Sequence, residues 1–206
     1  MHFCFLFLLF SHTTANDFTL QLRSQKPTEH NPKQFRHWVE NQTWKPQQTA
    51  IVVCDFWDQH HCLNAVRRMK EFGPRLNRLI IAARDQGATI IHSPSDCMPA
   101  YSEHPSRKRA ATTPFTKSPK GIQHWCSRIS PEEQAVYPID QSDGGEDDDP
   151  KEHQQWSEHL KSLGRNPNLP WKRQNQMIPI DPKLDYITDK GQEVWNILQA
   201  RQIRNV

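Results

Sequence analysis

One short run of apolar residues stands out in a chain that is otherwise polar and rich in proline. The run is Ala50–Cys54, and it stops abruptly at Asp55. A run of this length, rich in β-branched residues and bounded by polar ones, predicts a buried strand of a parallel sheet. In open α/β sheets the functional crevice lies beyond the carboxyl ends of the strands. Asp55 is therefore at a position where a catalytic group is expected.

The residues after this strand predict a helical crossover to a second strand. A first helical stretch, Leu63–Phe72, is interrupted by Gly73-Pro74, and Pro74 suits the first turn of a new helix. Gly87 is well placed to cap the end of that second helix. Its apolar face has helical spacing and consists of Leu76, Leu79, Ile80 and Ala83. A second strand at 88–92 completes a β-α-β pattern, which predicts adjacent parallel strands and a right-handed crossover.

The segments before and after this unit have weaker patterns. Residues 16–48 are polar, and within them Phe18–Arg23 alternates between apolar and polar positions, which predicts an edge strand. The rest of 16–48 is expected to form an arm on the outside of the domain. Residues 94–176 form a long irregular insertion in the domain of residues 49–206, and we expect this insertion to cover the crevice as a lid or wall.

Local signals predict two short helices inside the insertion. Ser130–Glu133 has the pattern of a capping box with proline in the first turn. Asp149-Pro150 predicts the start of a helix that runs to Leu163 and stops at Gly164. The acidic run at 144–150 is interpreted as a solvated turn.

The last thirty or so residues return to α/β character. A short extended piece is predicted at Met177–Ile180, and Thr188 or Asp189 is expected to cap a helix. The apolar side of that helix consists of Val194, Trp195, Ile197 and Leu198. The residues Ile203–Val206 have the pattern of the first part of another strand. This pattern predicts a domain that is incomplete at its C-terminus, as in the N-terminal part of a longer protein.

Composition narrows the function classes. The chain has 206 residues, enough for one domain with a core, but only 35% of them are hydrophobic and 16 are prolines. Its net charge of +3 is small and the charges are interspersed, which argues against a nucleic-acid or membrane-surface partner. The apolar run Phe3–Phe10 followed by Thr13–Ala15 predicts a signal peptide over residues 1–15 and an exported protein. That run is too short to span a bilayer.

The cysteines allow one disulfide. The chain has five cysteines and no Cys-x-x-Cys spacing, so a structural zinc ribbon is not indicated. Cys62 and Cys97 each follow the end of a predicted strand, and in an exported protein they could be joined. Cys54 lies within the first strand and is expected to be buried and inert.

The residues just after the first strand include several that can ligate metals. Asp58, His60 and His61 are such residues, and Asp96 and His104 could join them from the neighbouring strand. Their spacing matches no strict zinc signature, so the alternative is a polar helix start with a histidine bonding locally. For Asp55 the alternatives are a general base and a carboxylate that caps a loop. A further alternative is Cys62 acting as a nucleophile served by His60 or His61.

Three stretches together resemble the isochorismatase-like hydrolases, the cysteine hydrolases that include nicotinamidases. Residues 49–58 are similar to the opening strand of that family and its Asp-x-Gln-x-Asp motif, with Trp57 in place of the usual Gln. Residues 76–92 are similar to its first helix and second strand, and 185–206 to the helix and strand start before its nucleophile. The resemblance covers about half of the chain. It implies a three-layer sandwich with a mainly parallel, Rossmann-like sheet.

The resemblance also implies a catalytic triad of Asp, Lys and Cys. The aspartate corresponds to Asp55, and the lysine to Lys183 or, as a second choice, Lys190. None of the five cysteines occupies the nucleophile position, which would lie beyond Val206, so the present chain is expected to be inactive alone.

The expected function is hydrolysis of a small-molecule amide, or of a related C–N or C–O bond. No cofactor is required, while a divalent metal at Asp58, His60 and His61 stays open, as does a homo-oligomer. The other interpretation is a non-catalytic binding or structural protein that retains the fold.

Overall fold

The structure is a computed structural model, and it describes residues 16–31, 34–122 and 147–206. These residues form a mixed α/β arrangement. The strands are β1 (Phe18–Pro27), β2 (Phe35–Trp44), β3 (Ala50–Cys54), β4 (Thr89–Ser93) and β5 (Tyr186–Ile187). The α-helices are α1 (Leu63–Asp85), α2 (Pro105–Ala111), α3 (Pro150–Ser162) and α4 (Gly191–Ala200). Short 3-10 turns occupy Pro46–Gln48 and Met98–Tyr101.

The central sheet has the strand order β3-β4-β5, and all of its pairs are parallel. The register pairs Ala50 with Thr89 and Cys54 with Ser93, so the two strands end at the same edge. The prediction of adjacent parallel strands joined through a helix is therefore confirmed. On the far side of β3, a parallel bridge joins Thr49 to Asn205. The predicted strand start at Ile203–Val206 thus lies beside β3, although it forms a single bridge there.

Helices cover the central sheet on both faces. Val53 and Ile90 point to the face where they pack with Ile80 of α1. On the opposite face, Ile91 packs with Ala110 of α2 and Ile197 of α4. The near-continuous apolar character of β3 and β4 follows from this arrangement, because a strand covered on both faces has no solvent side.

Helix α1 runs without a break through Pro74, which contradicts the prediction of two helices. Proline removes one backbone hydrogen bond, but the buried side chains Val66 and Ile80 anchor the helix on both sides of it. Packing against the sheet therefore outweighs the local helix-breaking signal. Gly73 leaves room for the Met177 side chain, since a Cβ at this position would lie 3.0 Å from the Met177 Sδ atom. The predicted apolar face is only partly buried, because Leu79 is exposed.

The end of α1 has the cap that the sequence predicts. Gly87 adopts a φ of 95°, a conformation that favours glycine. Its N–H donates to the Arg84 carbonyl at 2.9 Å, and the Ala88 N–H donates to the Ala83 carbonyl at 3.0 Å. This pair of bonds is a Schellman motif, and it turns the chain directly into β4.

The N-terminal segment forms a hairpin of its own. Strands β1 and β2 pair antiparallel from Phe18 opposite Trp44 to Pro27 opposite Phe35. The predicted strand at Phe18–Arg23 is therefore present, but it pairs within a separate two-stranded sheet and not at the edge of the central one. The predicted N-terminal arm consists largely of this hairpin, because residues 35–44 also form a strand.

The structure confirms some of the predictions made for the insertion. Helix α3 begins after Asp149, whose side chain accepts hydrogen bonds from the Lys151 and Glu152 N–H groups, as predicted. The predicted stop at Gly164 is also present, with a φ of 66°. The capping box at Ser130–Glu133 lies outside the described residues. The acidic run is described only from Asp147 onward, where Asp147 and Asp149 are exposed as a solvated turn predicts, whereas the Asp148 side chain is 2% exposed.

Two details near the C-terminus also differ from expectation. Residues 177–180 form a turn and coil instead of an extended piece, and Ile178 is buried there. The N-cap of α4 is Lys190, without a side-chain hydrogen bond, and not Thr188 or Asp189. In the part of the chain that the structure describes, no helix has the length and apolarity needed to cross a bilayer.

A buried polar network ties β4 to the loop before β5. The His92 ring is fully buried, with Nε2 2.9 Å from the Asp185 Oδ2 atom and Nδ1 3.0 Å from the Gln174 Oε1 atom. Arg84 also binds Asp185 through Nε at 2.8 Å and Nη2 at 2.6 Å. Burial raises the pKa of Asp185, but the hydrogen bonds from His92 and Arg84 outweigh it and hold the pKa below its ordinary value. This network fixes the register of the insertion against the sheet.

Candidate functional site

The carboxyl edge of the sheet places Asp55 in an unusual backbone conformation. Asp55 follows β3 directly and has a φ of 50°. Asp96, in the loop after β4, has a φ of 60°. Such angles are costly for most residues but are tolerated by aspartate and asparagine. Two neighbouring strands therefore both lead into left-handed turns at aspartates, as is common where a fold directs side chains toward a site.

The Asp55 carboxylate faces a cavity of about 320 Å³. Its Oδ1 atom accepts a hydrogen bond from the Ser95 N–H at 2.9 Å, so one oxygen is fixed by the loop after β4. Within the described residues, no hydrogen bond to the other oxygen is present. The rest of the cavity wall is largely apolar and aromatic, and it consists of Phe56, Trp57, Gln59, His60, Ala65, Arg68, Met69 and Phe72. Both predicted roles of Asp55, as a loop cap and as a general base, are thus compatible with its position. One carboxylate oxygen caps the loop, and the other accepts no hydrogen bond from the described residues.

A stack of aromatic rings stands beside this carboxylate. The Trp57 ring lies parallel to Trp171, with centroids 4.0 Å apart. The Trp57 indole N–H donates to the Ser95 carbonyl at 3.1 Å, which fixes the ring against the loop that also holds Asp55. His60 and His61 continue the stack with centroids 4.1 Å apart. The cavity therefore has a rigid, planar wall.

The predicted metal ligands Asp58, His60 and His61 are not brought together as a ligand set. Asp58 forms an ion pair with Arg165 at 2.9 Å and also accepts the Lys172 N–H at 3.0 Å. His60 uses its Nδ1 atom to accept the Cys62 backbone N–H at 3.0 Å. These contacts fit the alternative of a polar helix start with a locally bonded histidine, and they do not fit the metal site. The other suggested ligand, His104, uses its Nδ1 atom to cap α2.

A different group of ligand atoms lies close together among the described residues. It consists of Cys62, Asp147 and Asp148. The Asp148 carboxylate accepts the Leu63 N–H at 2.6 Å and the Asn64 N–H at 2.7 Å. Its oxygens are therefore engaged in capping α1, and this group is explained as a helix cap that anchors the insertion.

A second and larger cavity, of about 620 Å³, opens at the same edge on the other face of the sheet. The polar part of its wall includes Cys54, Ser93, Ser95, Asp189 and Lys190, and the apolar part comes from Val52, Ile122 and side chains of α4. Ser95 connects the two cavities, because its N–H binds Asp55 while it lines the second one. Lys190, the second-choice lysine of the sequence argument, is therefore the one near the Asp55 edge.

Lys183, the first-choice lysine, lies elsewhere. It lines a separate cavity with Gly87, Ala88 and Thr89, at the amino end of β4. The structure thus puts Lys183 and Asp55 at opposite ends of the sheet and does not bring them together in one cleft. The assignment of a catalytic lysine therefore stays a prediction, and of the two candidates it is Lys190 that lines a cavity at the carboxyl edge.

The described cysteines are not activated nucleophiles. Cys54 is exposed and not buried as predicted, and partial desolvation together with the nearby Asp55 charge raises its pKa. Burial raises the pKa of Cys62, and its thiol faces Asp148 at 3.3 Å instead of a histidine. Burial raises the pKa of Cys97 to about 12, with further contributions from the carboxylates of Asp58, Asp96, Asp55 and Asp189. All three thiols are free, so the disulfide expected between Cys62 and Cys97 is not formed.

Three features of this edge were not predicted from the sequence. Trp171 lies in the irregular insertion, where no periodic pattern marks it as a stacking partner of Trp57. Asp148 sits in an acidic run that resembles a solvated turn by composition. Gln174 is buried between His92 and the Ile178 carbonyl, although glutamine is usually exposed.

No family model, no curated protein and no solved structure matches this chain.

Proposed function

We propose that the protein is an isochorismatase-like hydrolase whose site is the carboxyl edge of the sheet, with a small planar amide as substrate class. The observation that supports this most is the setting of Asp55. It follows a central parallel strand in a left-handed turn, one of its oxygens is held by the Ser95 N–H, and it faces a cavity with an aromatic wall. The proposal extends to the fold, as a three-layer, Rossmann-like sandwich around the sheet.

The chemistry needs three groups. Asp55 would take a proton from a thiol, and the thiolate would attack the amide carbonyl, forming a C–S bond while the C–N bond breaks. The proton goes to the leaving amine. Water, activated by the same carboxylate, would then attack the thioester, releasing the acid and restoring the thiol. Lys190 lines the second cavity at the same edge and would supply the stabilising cation, although its ammonium group lies 3.7 Å from the Glu193 carboxylate.

The aromatic wall suits a flat substrate. Trp57 lines the cavity, and its ring is held in position by the stack with Trp171 and by the hydrogen bond from its indole N–H to the Ser95 carbonyl. A ring carrying an amide would pack on this wall and bring its carbonyl toward Asp55. Pockets of this kind bind through apolar contact and use a few polar groups for orientation.

A second function has its own support. Cys54, Cys62 and Cys97 all have raised pKa values, so none of them is a ready thiolate. A protein that binds a planar amide at this edge without cleaving it would fit the same geometry. The nucleophile is the feature that separates the two functions.

The test uses the protein as its gene encodes it and nicotinamide as the probe. Binding is measured by calorimetry and turnover by ammonia release. We expect Asp55→Asn to lower turnover by at least about a hundredfold, since general-base catalysis contributes that much or more. Asp85→Asn is the matched control, because Asp85 is an exposed carboxylate at the other end of the fold. Lys190→Gln should weaken turnover, while Lys183→Gln should not.

The outcomes are distinct. Turnover that is lost in Asp55→Asn supports the hydrolase; if it also survives alanine at Cys54, Cys62 and Cys97, the nucleophilic thiol is not one of these three, and loss in one of the alanine variants identifies that cysteine as the nucleophile. Saturable binding without ammonia release supports the binding protein instead. Binding and turnover that are both unchanged in Asp55→Asn would remove this edge from the function altogether.

Export remains part of the proposal. The apolar start of the chain, residues 1–15, lies outside the described residues, so support for export comes from its sequence alone. Sequencing the N-terminus of the protein purified from its natural host would show whether these residues are removed.

A further inference from the structure

The amino edge of the sheet holds a cavity that the proposed hydrolase does not use. It has a volume of about 270 Å³ and lies between the starts of β4 and β5. Four of the residues that line it are cationic: Arg84, Arg109, Lys183 and Arg201. The remaining wall consists of Gly87, Ala88, Thr89, Leu184 and Tyr186, so among the described residues no carboxylate lines the cavity.

Most of the positive charge in this cavity is not neutralised within the described residues. Arg84 is the exception, because it forms an ion pair with the buried Asp185. Arg109 donates to the backbone carbonyls of Asp185 and Pro182, which carry no net charge. For Lys183 and Arg201, the described residues provide no ion-pair partner.

The nearest carboxylate in sequence does not remove this charge. Asp181 directs its Oδ1 atom to the backbone N–H groups of Lys183 and Leu184, at 2.7 Å and 3.0 Å. It therefore fixes the loop that carries Lys183, and the Lys183 ammonium group is left to the cavity side. Arg201 has only a weak contact of 3.5 Å to the Thr89 hydroxyl.

One of the cations is already held in place. The two carbonyl contacts of Arg109, together with the Tyr186 ring 5.7 Å from its guanidinium, limit its movement. A guanidinium held in place beside two exposed cations is an arrangement that binds anions with several oxygens. The backbone N–H groups of 87–89 bond to other carbonyls, so side chains would hold the anion.

We propose that this cavity, which we call the basic cleft, binds the phosphate group of a small phosphorylated molecule. The cleft is too small for a large ligand, and three uncompensated cations match the charge of a phosphate or diphosphate. It lies at the opposite end of the sheet from Asp55, so it is a separate site and not part of the proposed hydrolase site.

Inorganic pyrophosphate is the probe, measured by isothermal titration calorimetry at constant ionic strength. We expect saturable binding of one pyrophosphate per chain. Lys183→Gln and Arg201→Gln should each weaken it about tenfold, because each removes one charge-assisted contact. Both side chains are exposed, so these variants are expected to fold normally. Arg78→Gln and Lys161→Gln are the matched controls, since they remove exposed cations elsewhere and should leave binding unchanged.

Two results would overturn the basic cleft as a phosphate site. One is an equal heat signal when sodium chloride at the same ionic strength is titrated in place of pyrophosphate, because the signal then comes from charge screening and not from a specific site. The other is an equal loss in the control variants. Asp55→Asn should leave pyrophosphate binding intact, which separates this site from the hydrolase proposal.

Discussion

The prediction with the best-defined magnitude concerns Asp148, whose carboxylate joins the insertion to the start of α1. It accepts hydrogen bonds from the Leu63 and Asn64 N–H groups, at 2.6 Å and 2.7 Å, and its side chain is 2% exposed. Burial raises the pKa of Asp148, but these backbone hydrogen bonds and those from His153 and Cys62 bring it to about 2, against an ordinary 3.8. At about 1.4 kcal/mol per unit, the shift corresponds to roughly 2.5 kcal/mol of stability.

Asp148→Asn keeps the shape of the side chain but places an amide N–H₂ opposite a backbone N–H. We expect it to lower the free energy of unfolding by about 2 kcal/mol at pH 7, in line with the loss of a helix cap. The pKa is depressed in the folded state, so the carboxylate stabilises the protein above the unfolded pKa. That contribution is lost as the pH falls from about 4 toward 2.

Urea unfolding followed by circular dichroism at pH 7 and at pH 3 measures this difference. The gap between the parent protein and Asp148→Asn should be smaller at pH 3. Asp85→Asn, an exposed carboxylate near the other end of α1, should change stability by less than about 0.5 kcal/mol at both pH values. An Asp148→Asn effect as small as that control, or one that is independent of pH, would refute the proposed cap.

Three other changes test the core and the carboxyl edge. Asp185→Asn should cost about 3–5 kcal/mol in urea unfolding, because it leaves the Arg84 charge without its buried partner; a loss under 1 kcal/mol would contradict the network. Gly191→Ala should cost about 1–3 kcal/mol in the same assay, since its Cβ would lie 2.8 Å from the Ile122 carbonyl oxygen, and an unchanged midpoint would argue against this contact. Cys54 should be the described cysteine that a thiol reagent labels first in the native protein, and labelling of a buried cysteine ahead of it would count against the exposure seen here.

The β3-α1-β4 unit was predictable because its information is local. An apolar run, a helical face and a glycine cap each lie within a few residues of the structure they determine, and Ala50–Cys54 and Gly87 behaved as their patterns indicate. The position of Asp55 at a sheet edge followed from the same local pattern. The continuity of α1 through Pro74 was not predictable in this way, because it depends on buried side chains before and after the proline, and a local pattern does not include their burial.

The rest of the candidate site depends on contacts between distant parts of the chain. Asp148 caps a helix that begins 85 positions earlier, and Trp171 stacks on a ring from the first strand loop. Neither contact leaves a periodic signal in the sequence. The two candidate lysines were hard to distinguish for a related reason: β5 has only two residues, so Lys183 and Lys190 lie close in sequence but near opposite ends of the sheet.

The net charge was also a weak guide to local sites, because it adds together two edges of the sheet with different charge distributions. Asp58, Asp96, Asp55 and Asp189 all act on Cys97 at the carboxyl edge, where together they help raise its pKa. Four cations instead line the basic cleft at the amino edge. A net charge of +3 therefore coexists with a strongly basic surface, and it argues against extended polyanions more than against a single phosphate. Because cations predominate in the basic cleft while carboxylates and cations are mixed at the carboxyl edge, a ligand at either end meets a local field that the whole-chain sum does not describe.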